Sequence, residues 1–283
     1  MGERPQLISD GHEMRRWVRS AQQSGQRVGF VPTMGCLHAG HLSLVRRASE
    51  DCQRVVASIF VNPTQFGPHE DFGRYPRQLP ADLDMLSSLS VDAVFAPSVD
   101  EMYPAGYSTY VEPPAIARRW EGECRPGHFR GVATVVLKLF QMVPADASYF
   151  GHKDFQQARV IECMVRDLNV PMEIHVEPTV REPDGLALSS RNAYLSAEER
   201  QRAVGLWRTL QLAQQLSHSR TQASDQMLPQ LHEELGRHVD QIEYIAICDA
   251  ETLEPVTTVR PGNVVLIAAR LGSTRLIDNL VLS

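Results

Sequence analysis

Apolar and polar positions along this chain fall into blocks of two kinds. "RVGFVP" (Arg27 to Pro32) and "RVVASIFV" (Arg54 to Val61) are β-branched, apolar runs of strand length. Between them, "HLSLVRRASEDC" sets Leu42, Leu44, Val45 and Ala48 at helical spacing. Strand, glycine-containing turn, helix and strand make a βαβ unit, which implies parallel strands and a right-handed crossover. The alternation continues. "ADLDMLSSLS" predicts a helix, "VDAVFAP" a strand, and "GVATVVLKLFQMV", too long for a typical strand, a helix. A short strand in "ASYFG", a helix in "FQQARVIECMVRDLN" and a strand in "MEIHVEP" follow. The expectation is a Rossmann-like, doubly wound parallel sheet with helices on both faces.

The order then changes. "SAEER" has the capping-box form, Ser196 with Glu199 three later, and opens what reads as one long helix toward Ser217. A second helix is predicted from about Ser224 to His238. "EYIAICDA" and "NVVLIAARLGSTRLIDNLVL" then read as strands with turns. Helices first and strands afterward predict a smaller α+β domain. The expected organisation is therefore an α/β domain over residues 1–179 and a C-terminal α+β lid over 180–283. Pro183, Asp184 and Gly185 supply hinge-like turn chemistry in the linker near Thr179 to Arg191.

At 283 residues, two domains or one large domain with an appendage is the natural expectation. A net charge of -6 argues against a nucleic-acid or membrane-surface protein. No run approaches the roughly 18 apolar residues that span a bilayer. "MGERPQLISDGHEMRRW" lacks a signal-peptide core, and Met1-Gly2 makes a poor myristoylation signal with Gln6 where Ser or Thr is expected. The five cysteines are odd in number, scattered and without a C-x-x-C pair, as expected of reduced thiols in a cytoplasm.

The chemistry concentrates in "PTMGCLHAGH", Pro32 to His41, at the first strand-to-helix turn. Ligands of open parallel sheets sit at the carboxyl ends of strands, beside helix N-termini. Gly35 permits a tight turn, Gly40 leaves no side chain in the way, and exposed N–H groups with the helix dipole favour an anion. His38 and His41 add imidazole donors. Zinc is the weaker alternative, since one helical turn supplies two ligands and no nearby Cys or Glu completes a set. A purely structural role for both histidines is the other. The Gly-rich pattern with lysine of a P-loop kinase is absent.

"HAGH" resembles the H-x-G-H signature of the nucleotidyltransferase superfamily that includes class I aminoacyl-tRNA synthetases. "PTMGCLHAGHLSLV", "SIFVNPTQFGPHEDFGRYPR", "GHFRGVATVVLKLF", "YFGHKDFQQ" and "LALSSRNAYLS" resemble, in this order, the motifs of the pantothenate synthetase (pantoate–β-alanine ligase) family, spanning about residues 30 to 195. The resemblance implies ATP-dependent condensation of pantoate with β-alanine through a pantoyl-adenylate, releasing AMP and pyrophosphate. Carried over by position, Met34, Gly35, Cys36, Leu37, His38, Ala39, Gly40 and His41 form the ATP loop, with His41 in the proton-donor position. Gly151, His152, Lys153 and Asp154 match a second ATP segment, in which Lys153 would neutralise phosphate charge. Leu188, Ser189, Ser190 and Arg191 occupy the place of a flexible phosphate-gripping loop, and Val180 the position whose backbone contacts adenine. His38, His41, Lys153 and Arg191 are the catalytic candidates.

Gln65 and Gln157 match the residues that hold pantoate, with Asn62 assisting. Gln65 is also placed to meet β-alanine, and Pro32, Met34 and Phe66 offer an apolar wall. His128 and Arg130 border the site. Mg²⁺ would travel with ATP, with Asp82 a candidate helper; the alternative is an ordinary acid in a first helical turn. Ala39, Thr64 and His152 depart from the residues frequent in relatives, which leaves side-chain chemistry at position 152 open. The resemblance further implies a homodimer associating through N-terminal domains, and a small domain that closes over nucleotide. An adenylyltransferase that forms no amide bond, or a nucleotide-binding module without turnover, are the alternatives.

Overall fold

The computed structural model describes residues 4–68, 70–218 and 223–283. Met1, Gly2, Glu3 and His69, which belong to segments quoted above, lie outside the described residues. In chain order the elements are β1 (Gln6–Ile8), α1 (Gly11–Gln23), β2 (Val28–Thr33), α2 (Ala39–Asp51), β3 (Arg54–Ile59), α3 (Leu79–Ser87) and β4 (Ala93–Phe95). There follow α4 (Val99–Met102), α5 (Glu121–Cys124), α6 (His128–Met142), β5 (Ala147–Gly151), α7 (Phe155–Asp167) and β6 (Glu173–Glu177). The remainder comprises α8 (Ala197–Ala203), α9 (Gly205–Ser217), α10 (Ser224–Gly236), β7 (Gln241–Cys248), β8 (Val264–Leu271) and β9 (Thr274–Val281).

Among the described residues the strands form two sheets. β1 to β6 make a parallel sheet in the order β1-β4-β3-β2-β5-β6. Val28, Phe30 and Val31 of β2 are fully buried, as a strand covered on both faces requires. Phe30 and Val56 join α1, α6 and α7 in one apolar layer; Val31, Ala57 and Tyr149 join α2 and α3 in another. From β2 the chain goes on to β3, and from β5 to β6, on the opposite side of the sheet. The crevice outside the carboxyl ends of β2 and β5 is therefore the topological switch point, where doubly wound sheets take ligands. β2 ends into the histidine loop and β5 into Gly151 and His152.

β7, β8 and β9 form an antiparallel sheet, whose buried face packs with α9 and α10 around Leu206, Leu210, Leu231 and Ile267. The residues divide into two compact units. The first comprises Met1–Ala117, Arg125–His152 and Gln157–Pro178; the second comprises Arg118–Cys124, Lys153–Gln156 and Thr179–Ser283. Two short inserts thus lie in the second unit while the sequence around them builds the first, an arrangement that a single division between residues 179 and 180 does not express.

Two local readings are corrected. The helix expected from Ser196 to Ser217 is two helices, α8 and α9, meeting at Val204. Its capping box is present: the Ser196 hydroxyl accepts from the Glu199 N–H, and the Glu199 carboxylate accepts from the Ser196 N–H. Gly205 opens α9, and a Cβ there would come within 2.3 Å of His238. β1 and α1 also precede the first strand expected, although Met14, Val18 and Ala21 mark the buried stripe of α1.

Candidate functional site

The loop after β2 is closed by its own side chains. The Thr33 hydroxyl accepts from the Gly35 N–H at 3.1 Å and donates to the Ser58 carbonyl at 2.7 Å. Gly35 has φ +78°, in the left-handed region that glycine adopts without strain, and a Cβ there would meet the Asp82 carboxylate at 2.9 Å. Asp82 lies beneath: its Oδ2 accepts from the Cys36 N–H at 3.0 Å and its Oδ1 from the Leu37 N–H at 2.9 Å.

At the start of α2 the two histidines cap the helix reciprocally. His38 Nδ1 accepts from the Gly40 N–H at 3.2 Å, and His41 Nδ1 accepts from the His38 N–H at 3.3 Å. The rings lie 4.1 Å apart, centroid to centroid, tilted by 41°. A ring nitrogen that accepts carries no proton, so each neutral imidazole holds its proton on Nε2. The main-chain N–H groups of Gly35, His38 and Gly40 are engaged by side chains of the loop, and those of Cys36 and Leu37 by Asp82 of α3. Both Nδ1 atoms are thus committed to the loop and to the start of α2.

Asp82 corrects an expectation. It is 0% exposed, and both carboxylate oxygens hold loop N–H groups. Magnesium takes octahedral oxygen ligands and keeps much of its water, which a sealed and engaged carboxylate does not suit. Among the described residues no group of three or more His, Cys, Asp and Glu could hold a metal ion. Asp82 fits the part of loop anchor.

Gln65 sits on a 3-10 turn (Pro63–Gln65) after β3, and its amide is oriented by neighbours. The Asn62 Oδ1 accepts from the Thr64 N–H at 3.3 Å and from the Tyr103 hydroxyl at 2.8 Å, which identifies it as the oxygen. The Asn62 amide nitrogen then donates to the Gly131 carbonyl at 3.3 Å and to Gln65 Oε1 at 3.0 Å. Gln65 therefore turns its NH₂ the other way, toward Met34 Sδ at 3.0 Å. Sulfur is a weak acceptor, so this donor is readily surrendered to a carboxylate or hydroxyl. Burial pushes the Tyr103 phenol up to about 12, keeping it a donor. Asn62, expected to assist in holding pantoate, is 1% exposed, and its amide nitrogen is engaged with the Gly131 carbonyl and Gln65 Oε1. A Cβ on Gly131 would come within 2.3 Å of the Thr64 carbonyl, so only glycine lets α6 approach this turn. Met34 stays beside Gln65, while Phe66 packs on Phe72 and Tyr75 with ring centroids 5.3 and 5.8 Å away.

The remaining predicted residues are set by the second unit or lie at its boundary. Gly151 ends β5, and His152, Lys153 and Asp154 form the 3-10 turn that follows; Lys153 Nζ stands 3.4 Å from Asp154 Oδ1. Asn279 of β9 donates from its amide to the Lys153 carbonyl at 2.9 Å. Val180 to Leu188 is a small hairpin: the Leu188 N–H donates to the Val180 carbonyl at 3.0 Å, so that carbonyl is engaged. Arg181 of this hairpin forks onto buried Asp278 at 2.6 and 2.9 Å and lies 4.0 Å over the Trp207 ring. Ser189 caps the 3-10 turn Ser190–Tyr194 by accepting from the Arg191 N–H at 3.3 Å. Gln157 lies half-buried in the first turn of α7. Neighbouring Gln156 is buried and bonds the Glu121 N–H and the Arg119 carbonyl. Tyr103, Asn279 and Asp278 escaped the motif reading because each acts from 41 or more residues away on a partner that only the fold supplies.

Comparison with known proteins agrees with the ordered motifs. The family model described as pantoate-beta-alanine ligase matches residues 6–281. The pantothenate synthetase of Moorella thermoacetica is 52% identical over 278 residues, covering 98% of both chains. A crystal structure of the pantothenate synthetase of Thermus thermophilus superposes with a TM-score of 0.92 at 46% identity, covering 98% of this chain and 99% of that one. The pantoate-beta-alanine ligase of Francisella tularensis, solved in complex with beta-gamma ATP and beta-alanine, gives 0.81 at 34% identity, covering 98% and 97%. The chain belongs to the pantoate–β-alanine ligase family.

Proposed function

We propose that this chain joins pantoate to β-alanine at the expense of ATP, forming pantothenate with AMP and pyrophosphate. The observation that carries the reading is the reciprocal histidine cap at the sheet's switch point, on a chain that belongs to this family over nearly its whole length. A carboxylate is a poor acyl donor because its leaving group would be oxide. Its oxygen first attacks the α-phosphorus of ATP, and the bond to pyrophosphate breaks. The amine of β-alanine then attacks the carbonyl carbon of pantoyl-adenylate. AMP leaves with the shared oxygen, and the amine gives up a proton.

The first step brings two anions together, and preorganised donors are the main means of offsetting that repulsion. The Nε2–H groups of His38 and His41 suit phosphate oxygens. Lys153 and Arg191 supply positive charge, Arg191 through a two-point fork. The NH₂ of Gln65 suits the carboxylate or a hydroxyl of pantoate, and Gln157 is the second candidate for it. Magnesium, which ATP ordinarily brings, would be held by phosphate oxygens and water. The site is read as that of a homodimeric cytoplasmic enzyme. The five free cysteines support the compartment, and the family likeness supports the dimer. Light scattering at twice 31.7 kDa would bear the dimer out, and a monomeric mass would remove it.

Oxygen tracing tests the reaction. With labelled pantoate carboxylate, ATP and β-alanine, the label is expected in AMP as well as in pantothenate. AMP formed without label would refute an acyl-adenylate. Accumulation of an adenylated acid that β-alanine never consumes would point to a plain adenylyltransferase.

A further inference from the structure

His128 opens α6, directly after Gly127 at φ +83°, and it is 8% exposed. Its Nε2 lies 3.1 Å from Arg125 Nη1, and its Nδ1 lies 2.8 Å from the main-chain carbonyl of Gln65. A guanidinium only donates, so His128 Nε2 must accept. A carbonyl only accepts, so His128 Nδ1 must carry the proton. Both contacts are met at once by one species alone, the neutral Nδ1–H tautomer, and an imidazolium would set two donors against each other.

Arg125 is itself fixed. Its Nε donates to Glu70 Oε1 at 2.7 Å and its Nη2 to Glu70 Oε2 at 2.6 Å, a two-point fork with both side chains largely covered. Burial alone would raise the Glu70 carboxyl, but the hydrogen bond and charge of Arg125 outweigh it and hold Glu70 below the usual range. Arg125 Nη2 also reaches the Gln65 carbonyl at 3.3 Å. Gln65 is thus gripped twice, at its side-chain oxygen by Asn62 and at its backbone carbonyl by His128 and Arg125.

We propose that Glu70, Arg125 and His128 form a positioning relay, in which the neutral Nδ1–H tautomer of His128 locks the Gln65 backbone and so fixes the direction in which Gln65 presents its NH₂ to the organic acid. His128 in this role neither donates nor takes a proton in the reaction; it is a positioning residue. The inference rests on the proposed function for the identity of the acid, but not for the tautomer.

Two measurements test it on the full-length protein. In ¹⁵N-histidine NMR spectra of the ligand-free protein near neutral pH, the His128 signals, assigned by their loss in His128→Asn, are expected to show a protonated Nδ1 and a bare Nε2. An Nε2–H tautomer or an imidazolium overturns the proposal. In steady-state kinetics, His128→Leu is expected to raise KM for pantoate about tenfold, the worth of roughly one hydrogen bond, with KM for ATP unchanged. His128→Asn, whose amide N–H stands close to the place of Nδ1–H, is expected to recover most of that loss. An unaltered pantoate KM in His128→Leu, or equal rises for both substrates with no recovery by Asn, contradicts the relay. A wild-type protein that fails to turn over pantoate refutes the proposed function instead, and the spectra still decide the tautomer.

Discussion

His38 and His41 do two jobs with one ring each. Nδ1 finishes the helix, and the proton is thereby assigned to Nε2 by the backbone. His41→Ala removes a donor at the proposed phosphate site and one helix cap. Adenylation is expected to fall about 10²–10³-fold, the usual loss for a preorganised donor at a developing oxyanion. The melting curve should shift by no more than about 1–2 kcal/mol of cap energy. Single-turnover pyrophosphate release and a thermal melt check both halves. Tyr103→Phe is a milder case, because Asn62 Oδ1 keeps its bonds from Thr64. It should raise KM for pantoate by about two- to tenfold with kcat nearly kept, read from initial rates. The H-x-G-H signature and Gln65 were legible in the sequence because local spacing carries them. The engagement of the Leu37 N–H was not, since it depends on Asp82 arriving 45 residues later on α3.

Among elements, α5 shows how a short segment can be held by one buried ion pair. Arg275 of β9 forks onto Glu121 at 2.6 and 2.8 Å and turns its Nε to Glu243 at 2.7 Å, while the Tyr244 hydroxyl donates to Glu121 at 3.1 Å. Burial pushes the Tyr244 phenol well up, so it stays a donor. Arg275→Met would take that cation away from a carboxylate that is 6% exposed, at a cost of about 3–5 kcal/mol, measurable by denaturant unfolding. The Glu70–Arg125 pair joins the turn after β3 to the start of α6 and makes a prediction in pH. Because the folded carboxyl sits below its ordinary 4.5, the pair's contribution is present above that value. It is lost as pH falls through the lower folded value. Glu70→Gln should therefore destabilise the protein at pH 7 and make little difference in strong acid, as chemical melts at both pH values would show. The strands and helices of the parallel sheet were readable because each is long enough to show its period. The close approach of His238 to Gly205 was not, because His238 lies on another segment.

For the whole molecule, burial sorts the thiols. Cys36 is half-buried and Cys124 exposed, whereas Cys52, Cys163 and Cys248 are buried. Burial also raises the Cys248 thiol to about 12. A thiol reagent should label Cys36 and Cys124 in the native protein and all five cysteines only after unfolding, countable by intact mass. The class of fold, a parallel sheet followed by a smaller antiparallel one, was legible from the order of blocks alone. The interleaving of the two units was not, because Arg118–Cys124 and Lys153–Gln156 carry no period of their own.

That interleaving limits how the gene could be divided. A cut at the codon for Thr179 would yield a downstream fragment in which Arg275 has lost the acid it forks onto, and Asn279 the carbonyl it holds. The upstream fragment would carry Glu121 and Lys153 away from both. Two open reading frames made that way would each encode an incomplete protein. Recombination that swaps the tail for a distant relative's must bring these two small inserts along with it.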